Sequence, residues 1–258
     1  NVTDKPYFED KRVRQAISYA INRQELIDTL TEPGMKAPMD SIFPPEHPYY
    51  NPDAARYPYD PDKARELLAE AGWDPNQGIE LATYYDTQEA LDWMAFIQMY
   101  LTRVGIKTTV RAMPFPDMEV AGQEGRLDLW FTGYSPDVIG DHMAYFGPGG
   151  AWNYGNYDNP EYTELMTQAS RAGGEELKGL YFEMQEIFNE DLPGIPIWNR
   201  TKFDLVQPKF CGVASPWTDQ HYGYLNYQNI YVCEDAEWVE TVRPQTPEGI
   251  GHPGYTAP

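Results

Sequence analysis

Tyr134 and Asp137 stand three residues apart, just past the apolar run 127–132. A strand over that run delivers a ring and a carboxylate to one rim. Such a pair can hold an ammonium group, the carboxylate opposing its charge while rings keep water away. Ser135 lies between them. Two other readings of the same acids stay open. Asp137 follows Pro136 and could simply form a turn. Asp137 and Asp141 could be a carboxylate pair for glycoside chemistry. Nucleophilic and metal chemistry have less support. His47, His142, His221 and His252 are scattered, and Cys211 and Cys233 lack zinc spacing. No G-x-S-x-G, P-loop or dinucleotide fingerprint occurs. No metal site and no cofactor is expected.

The elements around these residues read as an α/β lobe. Asp10 caps a helix with Val13, Ala16, Ile17 and Ala20 on one face, and Asn22 with Glu25 caps a second. Residues 31–60 are proline-rich and aperiodic, which predicts a long irregular surface loop. Asp60, followed by Pro61, caps a helix that buries Leu67 and Leu68 and stops at Gly72. Strands are predicted over 79–85, 106–113 and 127–132. Helices over 88–104 and 116–124 separate them, the alternation of an α/β fold. Residues 133–157 are glycine-rich and predict a loop. Helices follow over 159–169 and 175–190, then strands over 194–198 and 202–206.

Composition narrows the function. The 258 residues carry 19 basic and 40 acidic side chains, a net charge of −21. That surface repels nucleic acid, which is excluded as a partner, and favours cationic ligands. No apolar run is long enough for a transmembrane helix. The chain begins at Asn1 and reads as part of a longer protein. Twenty tyrosines supply aromatic platforms for peptides or sugars, although most must serve the core. If the chain is extracytoplasmic, Cys211 and Cys233 could pair.

Five segments in order resemble the family 5 extracellular solute-binding proteins, the peptide receptors of ABC importers. They are 10–23, 59–73, 127–137, 156–162 and 192–197. The resemblance covers about residues 6–232 and implies the C-terminal lobe alone. The implied fold is one lobe of a periplasmic-binding-protein-like (type II, cluster C) fold, a mixed sheet flanked by helices. It implies a ligand-binding lobe over 1–200, a segment over 201–232 returning to the N-terminal lobe, and a polar tail over 233–258. The implied function is non-enzymatic binding of a small peptide, or of an oligosaccharide. The missing lobe and an ABC permease are the implied partners. An extracytoplasmic location follows, with a lipid anchor through the missing N-terminus. Asp137 stands where the peptide binders hold the ligand ammonium, and Tyr134 where they more often have Trp. Asn153 and Tyr154 would line the cleft or anchor its loop. Trp198 and Arg200 fall near the hinge, where Arg200 could meet a ligand carboxylate. Reuse of the lobe as an assembly domain is the remaining alternative.

Overall fold

The computed structural model describes residues 5–134, 139–200, 210–211 and 231–232. The chain divides into two compact units, one of residues 1–33 with 38–199, the other of 34–37 with 200–258. The boundary falls within two short strands, β1 (Lys36–Pro38) and β5 (Trp198–Arg200).

The first unit opens with α1 (Pro6–Glu9), α2 (Lys11–Ala20) and α3 (Arg23–Leu30). The Asp10 carboxylate accepts the Arg12 N–H at the start of α2, and Asn22 accepts the Glu25 N–H at the start of α3. These bonds satisfy amides that have no partner inside the helix. In α4 (Pro61–Glu70), Asp60 accepts from the amides of Asp62 and Lys63.

The α/β alternation comes next: β2 (Gly78–Thr83), α5 (Gln88–Arg103), β3 (Lys107–Ala112), α6 (Phe115–Gln123) and β4 (Leu129–Phe131). The strands form one parallel sheet of order β3-β2-β4. The two faces of β2 enter different cores because side chains alternate along a strand. Ile79 and Leu81 join Trp93, Met94, Ile97 and Leu101 of α5. Ala82 joins Met118 and Ala121 of α6. Helices therefore cover both faces, as a parallel sheet requires.

Then follow α7 (Ile139–Phe146), α8 (Pro160–Ala169) and α9 (Gly174–Asp191). The expectation that 133–157 is all loop is corrected by α7. Glycines flank and interrupt that segment, but Met143, Tyr145 and Phe146 pack into the α8–α9 core. Tertiary packing outweighs the weak local propensity.

Apart from β1, residues 31–60 are irregular and mostly at the surface as expected, but part of the segment enters the core. Ser41, Ile42, Phe43 and Asn51 are at most 2% exposed. Two amide side chains of α9 make this burial possible. Gln185 accepts from Ser41 Oγ and Asn51 N and donates to Tyr49 O. Asn189 accepts from Ser41 Oγ and donates to Ala55 O. They meet backbone groups that a regular element would have paired internally.

Two arginines brace the same unit. Arg23 is almost wholly buried and donates to the carbonyls of Ser18, Tyr57 and Pro196 and to Ser18 Oγ. Burial lowers its pKa to about 10, so it remains charged at neutral pH. Arg14 ties Asp191 O to the carbonyls of α1.

The predicted strand over 194–198 is reduced to Trp198 at the start of β5, although Ile197 O accepts from Met39 N. The strand over 202–206 and the pairing of Cys211 with Cys233 lie outside the described residues. In the second unit, β6 (Phe210–Cys211) pairs antiparallel with β7 (Tyr231–Val232).

Candidate functional site

The order β3-β2-β4 makes the carboxyl ends of β2 and β4 the natural binding rim. The chain leaves β2 toward one sheet edge, and after β3 it passes back over β2 to reach β4. In open α/β sheets, ligands settle outside the carboxyl ends of the strands where the winding reverses.

At that rim, β2 runs on into Tyr84 and Tyr85, and β4 into Thr132, Gly133 and Tyr134. Hydroxyl bonds join the two strand exits. Thr83 Oγ1 donates to Phe131 O at 3.1 Å. Tyr84 Oη donates to Tyr85 Oη at 2.9 Å and lies 3.4 Å from Thr132 Oγ1. Gly133 N–H donates to Tyr85 Oη at 3.2 Å. Burial, and to a smaller extent Tyr85, raises the Tyr84 pKa above that of a free phenol, while the hydrogen bond with Thr132 works the other way, so this phenol is neutral near pH 7.

Rings continue on both sides of the hydroxyls. Phe115, exposed at the start of α6, meets Tyr84 edge-on at 5.2 Å. Tyr85 meets Phe131 at 6.3 Å, and Phe131 meets Trp198 at 5.1 Å. Trp198 stacks on Trp93 with centroids 3.9 Å apart. The result is an aromatic row from α6 to β5 across the strand ends.

Tyr134 stands at the end of this rim and is half-buried. Its hydroxyl lies 2.5 Å from His142 Nδ1, and it packs edge-on against Tyr145 and Phe146. His142 is fully buried and also lies 3.4 Å from the Tyr162 hydroxyl. Helix α7 thus holds Tyr134 from beneath. Its Tyr145 hydroxyl also donates to Gly133 O at 3.0 Å.

Asn153 and Tyr154 lie deeper. The Asn153 amide donates to Gly147 O and Tyr157 O and accepts from Tyr157 N, so it stitches its own loop. Tyr154 is 5% exposed and packs with Trp130 above α6. Ser135 and Asp137 lie outside the described residues, as do the side chains of Asp141 and Arg200. Of the seven candidates, Tyr134 and Trp198 therefore stand on the described rim.

Tyr84, Tyr85, Thr132 and His142 are rim residues that sequence reasoning missed. The adjacent tyrosines closing a predicted strand were the available signal. His142 gave none, because its partners are eight and twenty residues away. A separate open pocket of about 180 Å³ lies by the amino end of β2, lined by Tyr7, Val13, Trp73 and Gln77 among others. It is smaller than typical ligand sites. Among the described residues no group of acids, histidines or cysteines is arranged to hold a metal.

The model of the bacterial extracellular solute-binding proteins, family 5 (middle), matches residues 1–157. The chain belongs to this family. Heme-binding protein A of Haemophilus influenzae is 30% identical over 234 residues, covering 86% of this chain and 42% of that protein. Glutathione-binding protein GsiB of Escherichia coli is 32% identical over 213 residues, covering 76% of this chain and 40% of that protein. This chain thus spans less than half the length of these relatives. An oligopeptide-binding protein of Thermus thermophilus, complexed with a pentapeptide, superposes with a TM-score of 0.69 at 23% identity. That match covers 90% of this chain and 45% of the other, and establishes the fold. The α/β lobe is therefore of the periplasmic-binding-protein kind.

Proposed function

We propose that this chain carries half of the ligand cleft of an extracytoplasmic receptor that delivers a small peptide to an ABC permease. The observation that carries the reading is the rim of neutral hydroxyls and rings at the carboxyl ends of β2 and β4. An extended peptide needs hydrogen-bonding groups for its backbone and ring walls for its side chains. Asp137 and Ser135, next in the chain after Tyr134, would meet the ligand ammonium. Arg200 would meet a carboxylate. The relative named for glutathione and the neighbour holding a pentapeptide support a peptide ligand. A second lobe would close over the rim and exclude water, so the isolated lobe should bind weakly.

The aromatic row favours one further reading. The C–H faces of an oligosaccharide also stack on rings such as Phe115, Tyr84 and Trp198. Calorimetry on the full-length receptor separates the two, using free tripeptides, N-acetylated tripeptides and linear oligosaccharides. The peptide reading expects binding of free tripeptides and a large loss on acetylation. Binding of the oligosaccharides alone would overturn it.

A further inference from the structure

The carboxyl end of β2 carries a hydroxyl group whose hydrogen bonds are one-sided. Tyr85 Oη receives two of them, from the Tyr84 hydroxyl at 2.9 Å and from the Gly133 amide at 3.2 Å. A phenol also has one hydrogen of its own to give. Among the described residues, none accepts the Tyr85 hydrogen. Two donors pointing into one oxygen polarise the remaining O–H and strengthen it as a donor.

We propose that Tyr85 donates this hydrogen to an amide carbonyl oxygen of the bound ligand, with Tyr84 as the positioning residue. The proposal rests on the peptide reading of the site. Three observations select the acceptor. First, Tyr85 is half-buried on the rim where β2 and β4 end, the two strands between which the winding reverses. Second, its ring is held in place by Tyr84 at 4.3 Å and Phe131 at 6.3 Å, and its oxygen by the backbone of the β4 exit. A donor fixed by strand ends is well placed to read a ligand atom. Third, the hydrogen-bond and ring partners of Tyr84 and Tyr85 among the described residues are Thr83, Thr132, Gly133, Phe115 and Phe131, all uncharged. An oxygen with full negative charge is held best by a cationic donor. A neutral phenol among neutral partners suits a neutral carbonyl.

The test uses the full-length receptor and calorimetry with trialanine, Ala-Phe-Ala and glutathione as probes. Tyr85→Phe keeps the ring and removes the donor, and should weaken the best probe about tenfold or more. Tyr84→Phe leaves the Tyr85 hydrogen in place but removes its polarising neighbour, and should cost about two- to fivefold. Because Tyr85→Phe also deprives Gly133 N–H of its acceptor, a second set of ligands separates contact from structure. In these, each amide carbonyl of the best probe is replaced in turn by a methylene. At one position the replacement should weaken the wild type as much as Tyr85→Phe does, and cost the variant almost nothing more. Affinity of Tyr85→Phe within twofold of wild type, or additive losses at every position, would overturn the proposal while leaving the peptide reading intact. Failure of the wild type to bind any of the three peptides would overturn both.

Discussion

The ring of Tyr154 occupies the space where a side chain at Gly122 would begin. A Cβ added at Gly122 would overlap Cγ, Cδ1 and Cδ2 of that ring. Gly122 lies in the last turn of α6, where alanine would otherwise be the better helix former, so its presence reflects the close approach. Gly122→Ala should destabilise the protein by about 1–3 kcal/mol, the usual cost of overpacking. The midpoint of urea unfolding checks this, and an unchanged or higher midpoint would contradict it.

The Tyr154 hydroxyl is itself buried with no hydrogen-bond partner among the described residues. Tyr154→Phe should therefore preserve stability or raise it by about 1 kcal/mol, because a buried polar group without a partner is lost. If Tyr154 supports the rim without touching ligand through its oxygen, ligand affinity should not change. A tenfold loss of affinity in Tyr154→Phe would return this hydroxyl to the binding site.

Asn189 and Gln185 give a measure of what the sequence concealed. Residues 31–60 lack any period because they form no regular element beyond the three-residue β1, yet Ile42 and Phe43 are core. The backbone of Asp40, Tyr49, Asn51 and Ala55 around them meets side chains 134–149 positions later, a pairing that local pattern cannot reveal. Local signals served well elsewhere. The caps Asp10, Asn22 and Asp60 hold the helices assigned to them. The strand–helix alternation from 79 to 132 is the parallel sheet itself. Helix α7 escaped notice because its flanking glycines outweighed an apolar stripe of one turn. At the rim, Tyr134 was legible from its spacing to Asp137. The hydroxyl bonds of Tyr84 and Tyr85 were not, since they depend on two strand exits meeting 48 residues apart. Asn189→Leu tests the long-range brace directly. It leaves the carbonyl of Ala55 without its donor and should cost about 1–3 kcal/mol in urea unfolding.

Buried phenols set an alkaline limit on stability. Burial chiefly, with neighbouring carboxylates, raises the Tyr57 pKa to about 12 and those of Tyr7, Tyr100 and Tyr157 further. In the unfolded chain these groups ionise near pH 10. Above that pH the unfolded state holds fewer protons than the folded one, so stability falls as pH rises. Their contribution is complete below about pH 10 and is lost progressively through pH 12. Melting temperatures measured from pH 8 to 12 should stay level to about pH 10 and then decline. A level profile to pH 12 would show that these phenols ionise as easily folded as unfolded.

In the proposed peptide reading, the ammonium contact falls to Asp137, three residues beyond Tyr134 in the sequence. His142 and α7 hold the Tyr134 ring at the end of the β4 exit. Asp137→Asn keeps the size of the side chain and removes its charge. In the full-length receptor it should weaken peptide binding by about 2–5 kcal/mol, the cost of removing one partner from a desolvated charge pair. Acetylating the peptide amino terminus removes the other partner. It should cost the wild type a similar amount and the variant little more, because the pair is already broken. Calorimetry on the four combinations gives the coupling between the two groups. Equal affinity of the wild type for free and acetylated peptides would reject the ammonium role and shift the weight to a sugar held by the aromatic row.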